Sequence, residues 1–556
     1  MQMNRSSGIL LHPTSLPETP GIGTIGKQAY RFVDWLVEAK QSLWQILPYG
    51  PTGYGDSPYA SFSTFAGNPL IIDIDMLVDA GWLSSDEAAA PEWMRSDGYI
   101  DFGGVVYWKI PLLKTAAAHF LERADAEEQK AYRAFKRENA SWLDNYTLFM
   151  SIKEFYDAKA QEEKVEGAMW STYWPHDLAV HEEKAVAEWA KAHKKEAEVY
   201  RVIQYFFFTQ WRALKTYANA NGIRIIGDIP IFVAPDSADV WADQRLFQLD
   251  KNGRPTRVAG VPPDYFCADG QLWGNPLYRW DVMEEEGFAW WIERIRATLK
   301  NVDYVRIDHF RGFEAYWSVP AKEQTAVNGK WVKGPRGKLF NAILEVLGDI
   351  PIIAEDLGVI TDQVRELRDN FNLPGMRVLQ FAFTPEEEKA GACTNSFMPH
   401  EFSPHSVVYT GTHDNDTLEG WLKRVPVEEP EAYALMKRYV SGGYDELVPS
   451  EENLAPALIR MAFASVSNFA VIPMQDIYRV DNSGRMNMPA TSGGHNWQWR
   501  MSSNMFDAMR AAWLKEMSVL YDRNSFLPPP PVEPKKSASG KKRATKKAPA
   551  KKTGAK

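Results

Sequence analysis

The chain has 556 residues, of which 45% are hydrophobic and 24% are charged, a balance that excludes a disordered or fibrous protein and allows a large buried core. Its only two cysteines, Cys267 and Cys393, exclude a disulfide framework and a thiolate-rich metal site. No apolar segment is long enough to span a bilayer, and the first residues contain no apolar signal segment, so we expect a cytoplasmic protein without membrane contact.

The net charge of −9 is unevenly distributed along the chain. Residues 528–556 contain nine lysines and one arginine against a single glutamate, so this segment carries +9 and the other 527 residues carry −18. Its proline-rich start and its lysine pairs among Ala, Ser, Thr and Gly cannot bury enough apolar surface to fold. We expect a disordered tail that adds nothing to catalysis. The alternative is a tether to a polyanion such as nucleic acid, or to the acidic body of a neighbouring copy.

Eight short, continuously apolar segments are typical of strands that are buried on both faces. In chain order, they are residues 8–12, 43–48, 224–231, 304–310, 351–355, 377–383, 406–410 and 470–474. Helical spacing of apolar residues is found between them at residues 29–39, 290–299, 338–347, 362–370 and 455–465. This alternation predicts a parallel sheet, and eight repeats predict a closed (β/α)8 TIM barrel. The alternative is an open doubly wound sheet, but no Gly-x-Gly-x-x-Gly phosphate loop follows an early strand.

Two long intervals interrupt this alternation. Between the second and third predicted strands, residues 107–137, 140–158 and 179–220 have helical spacing, which predicts a helical subdomain of about residues 75–220 inserted into a barrel loop. We expect the aromatic residues of this insertion to form its own core: Trp142, Phe149, Phe155, Trp189, Phe206 and Trp211. After the third strand, residues 232–289 are dense in Gly, Pro and aromatic residues and predict long loops on the active face. The predicted catalytic domain is therefore residues 1–527, followed by the tail.

Three of the predicted strands lead into a carboxylate with a polar neighbour. These acids are Asp308, Glu355 and Asp414, the last preceded by His413. Because the carboxyl ends of parallel strands meet on one face of a barrel, the three acids predict a shared site. Sugar-bond chemistry uses such a set, in which one carboxylate attacks or stabilises the anomeric carbon and another transfers a proton.

The local sequence around two of these acids favours different roles. Arg306 precedes Asp308 by two residues, so both side chains point to the same side of a strand, and the guanidinium keeps the carboxylate ionised. Glu355 follows Ile-Ile-Ala, and apolar surroundings raise the pKa of a carboxyl group, which suits a general acid. Taken singly, the first pair could be an ion pair that closes a barrel layer, and Glu355 could be a surface residue. The set of three in strand order favours catalysis.

Longer motifs occur in an ordered series from about residue 8 to about residue 500. They are LHPTSLP at residues 11–17, LWQILP at 43–48, GPTGYGDSPY at 50–59, FAGNP at 65–69, GDIPIF at 227–232, DSADVW at 236–241, GVPPDYF at 260–266, QLWGNPLY at 271–278, QD at 475–476 and RMNMP at 485–489. Together with the three acid motifs, this series resembles the 4-α-glucanotransferase family of the α-amylase clan, whose members are also called amylomaltases or disproportionating enzymes.

The resemblance implies a role for each matching residue. Asp308 would be the nucleophile that forms a covalent glucosyl ester, Glu355 the acid/base, and Asp414 the acid that binds ring hydroxyls beside the scissile bond. The implied substrate-binding residues are Arg306 and His413 beside these acids, Tyr59, Asp264, Gln271 and Trp273 on the donor side, Tyr54 on the acceptor side, and Asn487. Neither a cofactor nor a metal is implied, and Asp414-Asn-Asp416 lacks the ligand spacing of a calcium loop.

The implied activity is transfer of α-1,4-glucan segments between chains such as maltooligosaccharides, amylose, starch and glycogen, or to glucose or maltose, by a retaining double displacement. Retention predicts that the carboxyl groups of Asp308 and Glu355 lie about 5–5.5 Å apart. Two alternatives remain at this point: an α-1,4-glucan hydrolase, and a glucan-binding protein without turnover. A nucleic-acid-binding protein is disfavoured because the excess positive charge is confined to the tail.

Overall fold

The computed structural model describes residues 3–53, 55–95, 98–263, 268–384, 395–491 and 493–523, together with Gly554. In these residues the strands are β1 (Ser6–Leu10), β2 (Leu43–Gln45), β3 (Arg224–Pro230), β4 (Arg257–Val261), β5 (Gln271–Pro276), β6 (Tyr304–Asp308), β7 (Ala315–Pro320), β8 (Lys330–Lys333), β9 (Ile352–Ala354), β10 (Gly375–Val378), β11 (Ser406–Tyr409) and β12 (Phe469–Pro473). A closed barrel contains eight of them, in the order β1-β12-β11-β10-β9-β6-β3-β2. Every barrel strand corresponds to a predicted one, so the predicted (β/α)8 fold is confirmed.

Helices surround the barrel and fill the intervals between its strands. In the described residues they are α1 (Lys27–Glu38), α2 (Ile74–Asp79), α3 (Phe102–Arg123), α4 (Ala126–Glu138), α5 (Leu143–Glu163), α6 (Trp170–Tyr173), α7 (His176–Ala179), α8 (Glu183–Ala192), α9 (Lys194–Ala220), α10 (Ala238–Ala242), α11 (Trp280–Glu285), α12 (Ala289–Asn301), α13 (Gly337–Leu347), α14 (Asp362–Asn370), α15 (Leu418–Glu428), α16 (Pro430–Ser441), α17 (Glu451–Ala464), α18 (Met474–Ile477) and α19 (Ala508–Leu520). No described helix is both long and apolar enough to cross a membrane.

All neighbouring barrel strands pair in parallel, and their side chains are almost entirely buried. The backbone of β1 approaches β2 so closely at Gly8 that a Cβ atom there would lie 2.2 Å from the carbonyl oxygen of Leu43, so this position accepts only glycine. The predicted strand 377–383 is shorter than expected and begins earlier, because β10 ends at Val378 and a 3-10 turn follows. In that turn the side-chain amide of Gln380 donates to the carbonyl of Asp416 at 2.9 Å.

The interval between β2 and β3 contains the helices α2 to α9, with α3 and α5 packed along α9. The helical stretch 107–137 is divided at Asp125, whose side chain accepts from two backbone N–H groups and forms a capping box with Glu128. Most of the aromatic residues predicted for the core of this insertion are buried or partly buried. Phe155 is the exception: half of it is exposed, although its ring contacts the rings of Tyr156 and Trp189.

The interval after β3, predicted to be loops, also contains strands. β4 and β5 join β7 and β8 in a four-stranded antiparallel sheet with the order β5-β4-β7-β8. The sequence signal is weak because glycines interrupt both early strands, at Gly260 and Gly274. At Gly260 only glycine fits, since a Cβ atom would lie 2.4 Å from the carbonyl oxygen of Gln271. This sheet is what places Gln271 and Trp273 beside the barrel mouth.

The predicted tail, residues 528–556, lies outside the described residues except for Gly554. The domain bounds predicted from the sequence therefore stay predictions.

Candidate active site

A cleft of about 650 Å³ opens at the carboxyl ends of the barrel strands. Asp308 is the last residue of β6, and Asp414 lies in the loop after β11; both line the cleft. Glu355 follows β9 directly and reaches the same place, because its carboxylate accepts a hydrogen bond from the backbone of the residue after Asp308. The barrel thus brings the three predicted acids together.

The carboxylate of Asp308 is held by Arg306, whose Nη2 lies 2.8 Å from Asp308 Oδ1. The side chain of Arg306 is buried, and its other amino group donates to Asp228 on the adjacent strand β3. Asp228 and Arg306 are directly opposite each other in the parallel register of β3 and β6. The guanidinium lies between two carboxylates and fixes the orientation of Asp308, as a nucleophile requires.

Asp228 was not among the predicted site residues. It is fully buried, and burial raises its pKa, while Arg306 lowers it. Tyr59 donates its hydroxyl to Asp228 Oδ2 at 2.9 Å, and burial together with the Asp228 charge raises the pKa of Tyr59 well above its usual value. Tyr59 therefore stays protonated as a donor. One sequence feature could have indicated Asp228. It is a charged residue inside an apolar strand, and the next predicted strand contains an arginine, Arg306, that could pair with it.

Glu355 is held by two backbone donors. The N–H groups of His309 and Leu357 lie 2.7 and 2.8 Å from its two carboxylate oxygens. His309 adopts a left-handed conformation with φ of 55°, which turns the chain directly after Asp308. Burial, followed by the charge of Asp308, raises the pKa of Glu355 to about 8, against the opposing effects of Arg306 and the two N–H groups. At neutral pH Glu355 is therefore largely protonated, the state in which a general acid starts.

Asp414 is more exposed than the other two acids and is positioned from several sides. Asn487 donates its amide to Asp414 Oδ1 at 2.7 Å, and His413 Nε2 lies 3.3 Å from the same oxygen. Arg485 donates to the backbone carbonyl of Asp414 at 2.6 Å and also contacts Asp416. Both side-chain contacts involve Oδ1, and within the described part of the chain no hydrogen bond to Oδ2 is seen. Arg485 and Asp416 were not predicted as site residues, although both lie in or beside quoted motifs.

Aromatic side chains form one wall of the cleft. The rings of Tyr59 and His413 are stacked, with centroids 5.2 Å apart and an angle of 15° between the planes. Trp497 lies 5.8 Å from each of these rings and also lines the cleft. Trp497 was not predicted, because a single tryptophan outside the strands gives no signal of its own.

The small antiparallel sheet forms the opposite wall. Trp273 is about one-third exposed, and its indole N–H donates to Gln271 Oε1 at 3.1 Å. The edge of the Trp273 ring meets His309 at 4.7 Å between centroids. Burial lowers the pKa of His309 to about 3, so it is a neutral residue in this wall. His309 was also not predicted.

Two predicted groove residues, Tyr54 and Asp264, lie outside the described residues. The other predicted substrate-binding residues line the cleft or contact a residue that does: Arg306, His413, Tyr59, Gln271, Trp273 and Asn487. Their roles toward a substrate stay predictions. Among the residues that the structure describes, no group of three or more His, Cys, Asp or Glu side chains could hold a metal ion.

Comparisons with known proteins agree with this architecture. The family model described as 4-alpha-glucanotransferase matches residues 11–505. The 4-alpha-glucanotransferase of Thermus thermophilus is 47% identical over 94% of this chain and 100% of its own length, and that of Streptococcus pneumoniae serotype 4 is 44% identical over 93% and 97%. The solved amylomaltase from Streptococcus agalactiae in complex with acarbose has a TM-score of 0.86 and 39% identity, covering 93% of this chain and 99% of that one. The chain therefore belongs to the 4-alpha-glucanotransferase family, whose members are glycosyl-transferring enzymes.

Proposed function

We propose that the cleft transfers α-1,4-glucan segments between glucan chains by a retaining double displacement. The observation that carries this proposal is the unequal pair of acids: Asp308 accepts a hydrogen bond from the guanidinium of Arg306, whereas Glu355 is bound by two backbone N–H groups and its pKa is raised to about 8. A retaining reaction needs one anionic nucleophile and one protonated acid at the same bond. Membership of the family supports the choice of an α-1,4-glucan as donor.

In the first step, a carboxylate oxygen of Asp308 attacks the anomeric carbon of the donor. The bond between that carbon and the glycosidic oxygen breaks, and the proton of Glu355 moves to the departing oxygen. The products are a free chain with a new 4-hydroxyl group and a glucosyl ester on Asp308. Arg306, which hydrogen-bonds Asp308, fixes the direction of the attacking oxygen.

In the second step, the 4-hydroxyl of an acceptor glucan replaces the ester bond. Its proton moves to the carboxylate of Glu355, and its oxygen bonds to the anomeric carbon while the bond to Asp308 breaks. Esterification of Asp308 removes a negative charge that raised the pKa of Glu355, and two backbone N–H groups stabilise the glutamate anion. Glu355 thereby becomes a base in the second step, and two inversions keep the α configuration.

Asp414 is proposed to bind hydroxyl groups of the sugar beside the scissile bond. One of its oxygens accepts from Asn487, and the residue lines the cleft, where the other oxygen has no hydrogen bond from the described residues. Hydrogen bonds to a carboxylate strengthen as positive charge develops on the sugar ring, so this contact favours the transition state over the ground state.

The acceptor distinguishes the proposed transferase from a hydrolase. Glucose, maltose or a longer glucan must react with the ester faster than water does, through proximity and partial exclusion of water between the two walls of the cleft. The test is incubation of the protein with maltotriose, with free glucose, longer oligomers and reducing ends followed together. A ladder of longer maltooligosaccharides plus glucose without new reducing ends supports transfer. A rise in reducing ends without a ladder means hydrolysis, and no products at all would favour a glucan-binding protein.

We also propose a cellular location for the protein and a role for its basic tail. Cytoplasmic placement is inferred from the low cysteine count. The basic tail is proposed to be a solvated segment without a catalytic role, and contact with a polyanion is the alternative. Deletion of residues 528–556 should leave the rate on maltotriose unchanged at every salt concentration. A large loss of rate would overturn this view of the tail, and salt-sensitive binding of the full chain alone to a DNA duplex would support the tether.

A further inference from the structure

The segment that follows β3, residues 231–235, forms part of the cleft wall and is here called the wall segment. Ile231, Phe232, Ala234 and Pro235 line the cleft. The segment belongs to neither a helix nor a strand. Its conformation therefore depends on individual contacts with neighbouring residues.

Side chains bind the carbonyl groups of the wall segment one after another. Asn275 donates to the carbonyl of Val233 at 2.9 Å, and Ser237 donates to that of Ala234 at 2.7 Å. Trp170, the first residue of α6 in the helical insertion, donates its indole N–H to the carbonyl of Pro235 at 2.8 Å. The ring of Trp170 is buried. The insertion thus reaches the wall segment through a directed hydrogen bond.

A second contact from the insertion reaches the residue that follows the wall segment. Lys153, in the middle of α5, has its ammonium group 2.7 Å from Asp236 Oδ2 and 3.1 Å from Asp157 Oδ2. Only 10% of the Lys153 side chain is exposed, and its ammonium group lies 5.0 Å from the centre of the Phe62 ring. A lysine in this environment is charged, and removing it leaves a carboxylate of Asp236 that is only partly reached by water.

Neither contact touches the reacting groups. Among the described contacts of Lys153 and Trp170, none involves Asp308, Glu355 or Asp414. Loss of either contact should therefore alter the position of the wall and not the chemistry at the bond. A glucan that fills the cleft meets this wall, so the expected effect is on substrate binding.

We infer that the helical insertion sets the shape of the glucan cleft, with Lys153 and Trp170 as positioning residues that act through the wall segment. This inference rests on the proposed function, since it takes the cleft as the glucan site. It assigns the insertion a part in substrate selection and not only in the stability of the fold.

The test compares variants that remove one contact each with matched controls. Lys153→Met and Trp170→Phe remove the ammonium group and the indole N–H while they keep most of the side-chain volume. The controls remove contacts of the same chemical type that stay inside the insertion: Lys136→Met, which loses the ion pair with Glu198 at 3.1 Å, and Trp189→Phe, which loses the hydrogen bond to Ser151 at 3.1 Å. Lys153→Arg serves as the conservative rescue of the ion pair.

We expect the two test variants to raise KM for maltoheptaose about threefold to tenfold with kcat within about twofold, because only binding shared by ground and transition states is lost. The controls should match the parent protein in both constants, and Lys153→Arg should recover most of the lost affinity. Melting temperatures separate a loss of fold from a change of the wall. An unchanged KM in both test variants, or an equal rise in the controls, would overturn the inference.

A binding measurement separates this inference from the proposed function. Calorimetric titration of maltoheptaose into Asp308→Asn, alone and combined with Lys153→Met, does not require turnover. A weaker affinity in the combined variant supports the role of Lys153 even if the parent protein forms no transfer products. Equal affinities would contradict that role whatever the outcome of the activity assay.

Discussion

The three acids and the two cleft walls come from different kinds of structure. Asp308 and Glu355 are placed by short strands whose positions are fixed by the register of the barrel. The walls come from an antiparallel sheet, from loops and from the wall segment, which are held by individual side-chain contacts. The barrel thus fixes the chemistry, while the inserted parts set what can reach it.

A second contrast lies within the pair of reacting acids. Asp308 is paired with a guanidinium, whereas Glu355 accepts from two backbone N–H groups and lies next to the Asp308 charge. One environment stabilises the anion and the other stabilises the neutral acid. Two neighbouring carboxyl groups can therefore take different roles, Asp308 as the nucleophile and Glu355 as the general acid.

The largest expected loss of activity follows substitution of the nucleophile, Asp308. Asp308→Asn keeps the size of the side chain but removes the attacking oxygen anion, so we expect kcat to fall about 10⁴-fold. Product formation from maltotriose measures the loss, and calorimetry with maltoheptaose should find the cleft still able to bind. Residual activity above about one-tenth of the parent would contradict the assignment of Asp308 as the nucleophile.

Substitution of the acid/base Glu355 should lower the rate by a factor that depends on the leaving group of the donor. Glu355→Gln cannot protonate the departing sugar, so we expect a loss of about 10²- to 10⁴-fold on maltotriose. α-Glucosyl fluoride needs no proton on its leaving group, so its first step should be nearly unaffected. Comparison of the two donors under single-turnover conditions checks this, and equal losses on both donors would point to a structural role.

The pH profile tests the environment of Glu355 directly. Burial and the Asp308 charge raise its pKa to about 8, so the protonated acid is present below that pH and is lost as the pH rises through it. We expect kcat/KM for maltotriose to fall above about pH 8, and Glu355→Gln acting on α-glucosyl fluoride to lack this descent. A descent near pH 4 to 5, the usual range for a glutamate, would contradict the role of burial.

Asp228 tests how far the barrel register supports the nucleophile. Asp228→Asn removes one of the two carboxylates beside the buried Arg306, so we expect a loss of roughly 3 kcal/mol in unfolding free energy. We also expect kcat to fall about tenfold, since Arg306 can then shift relative to Asp308.

A matched control is available just before β6, the strand that carries Arg306. Asp303 pairs with Lys215 at 2.9 Å, at the end of the barrel opposite the cleft. Asp303→Asn should lower the melting temperature and leave kcat unchanged. An equal fall of kcat in both variants would mean that Asp228 acts only through stability.

The barrel was predictable because its strands are continuously apolar and recur with helices between them. The same pattern located Asp308, Glu355 and Asp414 at strand ends, since residues that follow an apolar run stand out. Asp228 was missed for the opposite reason: it is buried within its strand, and its partner Arg306 lies 78 positions away. Only the register of β3 and β6 brings them together.

The walls were less predictable from the sequence. β4 and β5 are interrupted by glycines, and β4 pairs with β7, a strand beyond β6, so no local pattern indicates the whole sheet. The contact of Lys153 with Asp236 and that of Trp170 with Pro235 join residues 83 and 65 positions apart. Such contacts depend on how the insertion packs on the barrel, which periodicity alone does not specify.

The covalent intermediate is the most direct test of the account. The Glu355→Gln variant would be mixed with α-glucosyl fluoride, and the reaction would be quenched in acid. The protein would then be digested, and the masses of its peptides would be measured by mass spectrometry. We predict that the peptide containing Asp308 gains the mass of one glucosyl residue, because the second step lacks its base. An enzyme that turns over α-glucosyl fluoride but carries the sugar on another carboxylate, or on none, would contradict the double displacement at Asp308.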